Sequence, residues 1–196
     1  MTIVHPPSSA DLLATLAARR NYTLRRLLAP GPDDAALACI VEAGAHAPDH
    51  GLLRPWRFIL VPPQRRADLG QVFADALLAR DSACDEDALA TARDKATRAP
   101  CLLVAVLRDD PAGAAIPRAE KLVSLGCAIQ NMLVAAQAMG FASGLASGAA
   151  MDFAGMRQLL RLGEHEQAIC FIGLGTASNV KPPRPRPDAA QFLSSL

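Results

Sequence analysis

The chain has 196 residues, of which 51% are hydrophobic and 20% charged, and its formal net charge is +1. This composition is that of a globular domain long enough to bury a core, and it argues against a disordered chain. The near-neutral charge argues against a general affinity for nucleic acid or for anionic membranes.

The cysteine content and the N-terminal residues indicate the cellular compartment. The five cysteines are widely spaced and odd in number, and no CxxC pair occurs. This pattern is typical of reduced thiols in an intracellular protein. No basic region precedes an apolar one at the start, and no apolar run approaches the roughly 20 residues that span a bilayer. We therefore expect a soluble, cytoplasmic protein.

The first part of the chain predicts two helices. Serines can cap a helix over about residues 10–20, whose apolar positions share one face. The stretch APGPDD ends that region, and Asp33 or Asp34 can cap a second helix that runs to about His46.

Two apolar runs in the middle of the chain predict buried strands. The first is WRFILV at 56–61, and the second is CLLVAVL at 101–107. Between them, the pattern predicts an amphipathic helix over 64–80. The polar segment 80–100 is expected to be helical and exposed.

The second half predicts one central helix and one further strand. Segment 118–139 is apolar on nearly every face, which is typical of a buried helix. The Gly- and Ser-rich segment 140–150 is expected to be flexible, and AICFIGLGTA at 168–177 predicts a third strand. The proline-rich tail, about 178–196, is expected to be extended. Together these elements predict an α+β domain.

The loop GAHAPDHGLLRPW carries an unusual mixture of residues. It places His46, Pro48, His50 and Trp56 just before the first predicted strand. Pro48 breaks the helical spacing between the two histidines, so they are not an i, i+4 metal-binding pair, and we expect no metal site. We also find no nucleophile elbow, and the glycine-rich stretches do not fit a dinucleotide-binding fingerprint.

Basic residues at both ends of the chain offer anion-binding groups. Arg19 and Arg20 come at the end of the first predicted helix, and Asn21 follows them. Arginine forks and amide donors suit a phosphate, but the same arginines could instead complement a helix C-terminus. A second basic group lies in the tail: Lys181, Arg184 and Arg186. It could serve the same anion, or it could keep the tail soluble.

Four stretches in this order resemble the FMN-dependent nitroreductase family, and most of all its short single-domain bacterial members. They are LAARRNYTLRRLLAPGPD, IVEAGAHAPDHGLLRPWRFILV, LGCAIQNMLVAAQAMGFASGLASG and ICFIGLGTA. The first resembles the family's opening R-R-S motif, and the second resembles A-P-D-H followed by P-W-x-F. The resemblance covers about residues 10–185.

The resemblance implies one nitroreductase-like domain over 1–196. Its fold is α+β, with a small central β-sheet surrounded by helices and a buried central helix. It also implies an intertwined homodimer with two FMN sites, each built from both chains, and a tail that docks on the partner subunit.

The resemblance also implies which residues hold FMN. Arg19, Arg20 and Asn21 would hold the phosphate and the ribityl chain, with Asn21 where relatives have serine. In the A-P-D-H loop, His46, Pro48 and His50 would lie beside the flavin, with His46 where close relatives have arginine. The remaining cofactor-binding residues would be Leu145, Ala146 and Ser147, along the isoalloxazine ring, and Lys181 and Arg184, near the phosphate.

The implied activity is NAD(P)H-dependent reduction of a nitroaromatic, a quinone or another flat acceptor by a ping-pong mechanism. FMN carries the chemistry, so no side chain need be a catalytic acid or base. Small residues at 145 and 146, where close relatives have larger ones, imply a roomier pocket. Two alternatives stay open: another flavin reaction on the same fold, such as flavin fragmentation or reductive dehalogenation, and a non-catalytic FMN-binding dimer.

Overall fold

The structure, a computed structural model, describes residues 9–109, 115–182 and 185–196. Within these ranges the helices are α1 (Ser9–Ala18), α2 (Asp34–Ala43), α3 (Arg66–Arg80), α4 (Glu86–Asp94), α5 (Arg118–Ala138) and α6 (Ala154–Leu159). The strands are β1 (Leu27–Leu28), β2 (Trp56–Leu60), β3 (Cys101–Arg108), β4 (Ala142–Ala146) and β5 (Glu166–Ala177).

The strands form one antiparallel sheet in which β5 is the most connected strand. It pairs with β3, which in turn pairs with β2. It also pairs with β4, where Gly144 lies opposite Gly173, and with β1, where Leu27 lies opposite Ala177. The chain therefore brings the segment after α5 and the segment after α1 to the same strand.

Two cores lie on the two faces of the sheet. Residues 101–107 of β3 are all buried, and their side chains alternate between the cores, as the pleat requires. Leu103 packs with Ile40 and Met132 of α2 and α5. Val104 packs with Leu69 of α3, in the cluster that also contains α6. The α+β fold expected from the sequence, with helices around a small sheet, is confirmed.

Apolar patterning predicts most of these elements correctly. The three strands expected from apolar runs are β2, β3 and β5, and Asp33 caps α2 by accepting a hydrogen bond from the Ala36 N–H at 2.8 Å. The expectation of a flexible segment over 140–150 is wrong, because pairing with β5 makes residues 142–146 a strand.

The expectation that segment 80–100 is exposed is also wrong in part. Three alanines on or just after α4 are buried, namely Ala92, Ala96 and Ala99. The buried Arg66 side chain donates to the carbonyl oxygens of Val61 and Ala96, each at 2.8 Å, and so anchors the turn after α4. Small side chains let this polar segment pack closely on α3.

Some apolar surface on the helices is uncovered in this one chain. The α1 leucines Leu12 and Leu13 are 53% and 63% exposed, and Val123 of α5 is 65% exposed. The buried helix expected at 118–139 therefore has one open face. None of the helices in the described ranges combines the length and the apolar character that a membrane crossing would require.

Candidate functional site

The segment after α1 lies directly beside β4. The Tyr22 N–H donates to the carbonyl oxygen of Ser143 at 2.9 Å, and Asn21 forms a parallel bridge with the same residue. The Leu145 N–H donates to the side-chain oxygen of Asn21 at 2.9 Å. Two of the predicted site stretches, 19–21 and 145–147, are therefore joined by a hydrogen bond across 124 residues of sequence.

Gly144 makes this close approach possible. A Cβ atom at Gly144 would lie 1.7 Å from the carbonyl oxygen of Tyr22, far inside any real contact distance. Only glycine lets the two backbones approach this closely. The glycine in the expected flexible segment thus has a packing role.

The tail returns to the same place through Lys181. Its Nζ donates to the carbonyl oxygen of Asn21 and lies 4.8 Å from the centre of the Tyr22 ring. Its backbone N–H lies 3.4 Å from the Tyr22 hydroxyl oxygen. The structure therefore groups Lys181 with the 19–21 stretch, whereas Arg184 lies outside the described residues.

The arginines at the end of α1 form a cluster of like charges. Burial lowers the pKa of Arg19, and so do the positive charges of Arg186 and Arg20. Both shifts mean that the cationic form has lost solvation and gained repulsion. An anion among these three side chains would stabilise their cationic forms and so oppose the lowering of the Arg19 pKa.

Arg20 also has an unused donor. Its Nη1 donates to the carbonyl oxygens of Ala17 and Arg19, but its Nε is buried and has no hydrogen-bond partner among the described residues. A buried donor without a partner is costly, and such a donor often indicates a missing ligand or water. The donor set of Arg19, Arg20 and Arg186 fits a phosphate group.

A cavity of about 460 Å³ opens beside residues 145–151. One wall is a single face of α3, because Phe73, Ala76, Leu77 and Arg80 follow the i, i+3, i+4, i+7 spacing. The Phe73 ring packs edge-on against Phe171 of β5, with centroids 5.6 Å apart. This volume is in the range of small-molecule sites, and its walls are mainly apolar.

The described lining residues of the cavity include no carboxylate but four cationic side chains. They are Arg25, Arg80, Lys95 and Arg98. Arg98 lies 3.5 Å from the Asp94 carboxylate. Sequence reasoning did not identify Arg80, Lys95 or Arg98. Lys95 and Arg98 lie close together in the sequence, in DKATR before β3, but their meeting with Arg80 depends on the tertiary fold.

The A-P-D-H loop lies elsewhere on this chain, since His46, Pro48 and His50 do not line the cavity. His46 is exposed, and His50 forms an exposed ion pair in which its Nδ1 lies 2.8 Å from the Glu120 carboxylate. The loop has backbone strain, because the non-glycine residues Leu52 and Arg54 have φ of 56° and 47°. Strain of this kind in non-glycine residues often lies at functional sites.

The fold and this site define a class of protein. The sequence profile of the nitroreductase family matches residues 17–176. The chain is also 32% identical over 187 residues to an Escherichia coli protein named "Putative NAD(P)H nitroreductase YdjA", with 93% of this chain and 100% of the relative covered. The chain belongs to the nitroreductase family.

Solved structures agree on the fold. A nitroreductase-like family protein from Bacillus cereus has a TM-score of 0.79 at 16% identity, with 100% of this chain and 99% of that chain covered. A Desulfitobacterium hafniense nitroreductase with bound FMN has a TM-score of 0.67 at 25% identity, covering 95% and 98%. The nitroreductase-like fold expected from the sequence is confirmed.

Proposed function

We propose that this chain is an FMN-dependent NAD(P)H oxidoreductase of the nitroreductase type that works as a homodimer. The observation that carries the proposal is the buried Nε of Arg20, which has no hydrogen-bond partner within the described ranges and lies in a cluster of like charges. That cluster lies next to the backbone of residues 145–147 and the adjoining cavity. Family membership and the FMN-bound relative point to the same cofactor.

The residues at this site would hold FMN in two parts. Arg19 and Arg20 would bind the phosphate, and Asn21 would keep the two segments in register while facing the ribityl chain. Leu145, Ala146 and Ser147 would lie along the isoalloxazine ring. Lys181 is already anchored to Asn21, and with Arg184 it would add positive charge from the tail.

When bound, FMN would supply hydride transfer through N5, with NAD(P)H as the donor and a flat molecule, such as a nitroaromatic or a quinone, as the acceptor in a ping-pong mechanism. The protein's part is to bind, to orient and to exclude water. The apolar face of α3 and the rings of Phe73 and Phe171 would exclude water from the reacting faces. Cations near the isoalloxazine ring would stabilise the negative charge that the flavin gains on reduction.

A second copy would complete the site. The exposed apolar residues of α1, α5 and the tail supply a surface for it, namely Leu12, Leu13, Leu16, Leu122, Val123, Phe192 and Leu193. In the proposed dimer, the loop with His46, Pro48 and His50 would reach the partner's flavin. This accounts for why these residues do not meet the 19–21 stretch within one chain.

The test measures how much FMN each chain binds and how many chains associate. The purified chain would be yellow, with absorbance near 450 nm, one FMN per chain and the mass of a dimer by light scattering. A colourless monomer that stays free of flavin after incubation with FMN would contradict the proposal. Bound FMN without oxidation of NADH or NADPH would instead support the non-catalytic flavin-binding alternative.

A further inference from the structure

The cavity beside residues 145–151 has a charge pattern that a flavin ring alone does not explain. Four cations line it, and its described lining residues include no acid. The whole chain carries 20 basic and 19 acidic residues, so this excess of positive charge is local. One cation near the ring suffices for the single negative charge of a reduced flavin.

Three of these cations have no ion-pair partner among the residues that the structure describes. Within the described ranges, Arg25, Arg80 and Lys95 take part in no ion pair, and only Arg98 has an acidic neighbour, at 3.5 Å. Arg80 lies in the last turn of α3, where a cation also complements the helix C-terminus. The same role is open to Lys95, the C-cap residue of α4, and it leaves Arg25 unexplained.

The three cations come from separate elements. Arg25 follows the 19–21 stretch, Arg80 ends α3, and Lys95 follows α4. Their convergence on one cavity depends on the tertiary fold. Between them the walls are apolar, with Phe73, Leu102 and Phe171 among them.

We propose that this cavity binds the electron acceptor and selects planar aromatic molecules that carry a carboxylate or another negative group. This inference rests on the proposed function, because it names the substrate class of the same site. The apolar walls accept the aromatic body, and Arg80 with its neighbouring cations binds the anionic group. For a nitro acceptor, one NADH and one proton reduce the nitro group to a nitroso group, and NAD⁺ and water are released.

The first test is binding without turnover. Benzoate and benzamide have nearly the same shape and differ in charge, and neither is reduced. Isothermal calorimetry on the FMN-loaded dimer should show benzoate binding about tenfold more tightly than benzamide, the worth of one charge-assisted hydrogen bond. The preference should weaken as salt is raised. Equal affinities would overturn the proposal.

The second test assigns the preference to the cavity. Arg80→Gln should remove most of the benzoate preference and leave benzamide binding unchanged. Arg65→Gln is the matched control, since Arg65 is exposed just before α3 and outside the cavity. An unchanged preference in Arg80→Gln would overturn the proposal, and so would loss of FMN from that variant, because the cation would then serve the cofactor.

The third test separates acceptor from donor. With NADH as donor, 4-nitrobenzoate should reoxidise the reduced parent protein faster than 4-nitrobenzamide does. In Arg80→Gln this difference between the two acceptors should be absent. If Arg80→Gln instead changes only the ratio of NADPH to NADH use, the cations recognise the donor's phosphate and the proposal is wrong.

Failure of the proposed function gives a different result. Calorimetry also works on the flavin-free chain, so a benzoate preference there would support the cavity's selectivity even if FMN did not bind. Absence of FMN binding would overturn only the flavin assignment. Absence of any benzoate preference, with or without FMN, would overturn only the acceptor class.

Discussion

The side-chain oxygen of Asn21 accepts a hydrogen bond from the Leu145 N–H at 2.9 Å. This bond fixes the segment after α1 against β4. Asn21→Ala removes that acceptor. We expect the free energy of unfolding to fall by about 1 kcal/mol and FMN affinity to fall about fivefold, because the phosphate-binding and ring-binding segments lose their register. Chemical denaturation and FMN titration measure the two effects.

Asn179→Ala is the control for this prediction, because Asn179 is exposed in the tail and far from β4 in the chain. It should leave both quantities unchanged. Normal FMN affinity in Asn21→Ala would show that the register does not depend on this hydrogen bond.

The Arg20 side chain supplies the buried donor that has no partner in the part of the chain that the structure describes, so its loss should be specific for the phosphate. Arg20→Ala should weaken FMN binding by about 10- to 100-fold, while riboflavin, which has no phosphate, should bind the variant and the parent equally. Arg19→Ala should act in the same direction.

Fluorescence titration with both flavins checks this prediction, with Arg65→Ala as the control for a lost surface arginine. If riboflavin and FMN lose affinity equally, the arginine supports the fold and does not bind the phosphate. Unchanged flavin occupancy after dialysis would exclude the role altogether.

Gly144 permits the close contact between β4 and Tyr22. Gly144→Ala would place a Cβ atom 1.7 Å from the Tyr22 carbonyl oxygen, so one backbone must move. We expect a loss of about 2–4 kcal/mol in the free energy of unfolding, together with weaker FMN binding.

Gly163→Ala is the matched control, because its Cβ would meet Glu166 at an ordinary 3.8 Å. It should change stability by less than about 1 kcal/mol. Equal thermal melting curves for the two alanine variants would contradict the packing role of Gly144.

Glu166, the first residue of β5, is bound by Arg57 of β2. The two side chains form two hydrogen bonds of 2.6 Å, and Arg57 is the main cause that lowers the pKa of Glu166 from 4.5 to about 2. Since the unfolded chain binds the proton first, this contribution to stability is complete above about pH 5. It is lost as the pH falls from about 5 to 2.

Glu166→Gln should therefore lower the free energy of unfolding at pH 7 by about 1–3 kcal/mol and flatten its decline between pH 5 and 2. Denaturant titrations at several pH values test this. Glu164→Gln, at an exposed neighbouring position, should retain the parent's pH profile. An identical profile in Glu166→Gln would show that another group is responsible.

His50 is expected to act in function more than in stability. Its ion pair with Glu120 is exposed on both sides, at 63% and 49%, and such pairs contribute about 0–1 kcal/mol. His50→Ala should change flavin affinity or turnover and leave the dimer folded.

Glu120→Gln separates the two roles of His50, because it breaks the ion pair but keeps the imidazole. It should preserve kinetics. If His50→Ala and Glu120→Gln both lose only thermal stability and keep normal kinetics, His50 is a structural residue.

Apolar runs made β2, β3 and β5 predictable from the sequence, because a buried strand needs a continuous apolar stretch. Strand β4 was not predictable, since ASGLA lacks strand-forming residues and is held by pairing with β5 and by contact with Tyr22. The 19–21 and 145–147 stretches were predicted as site residues through the family resemblance. Arg80, Lys95 and Arg98 were missed, because each is an ordinary surface cation until the fold brings the three together.

The most direct test of the central claim is an anaerobic absorbance spectrum of the purified protein, followed after NADH or NADPH is added. We predict that the flavin band near 450 nm bleaches in proportion to the donor added and returns when an acceptor is supplied. A flavin band that persists with both donors, or a protein that binds no FMN, would contradict the assignment of this chain as a flavin-dependent oxidoreductase.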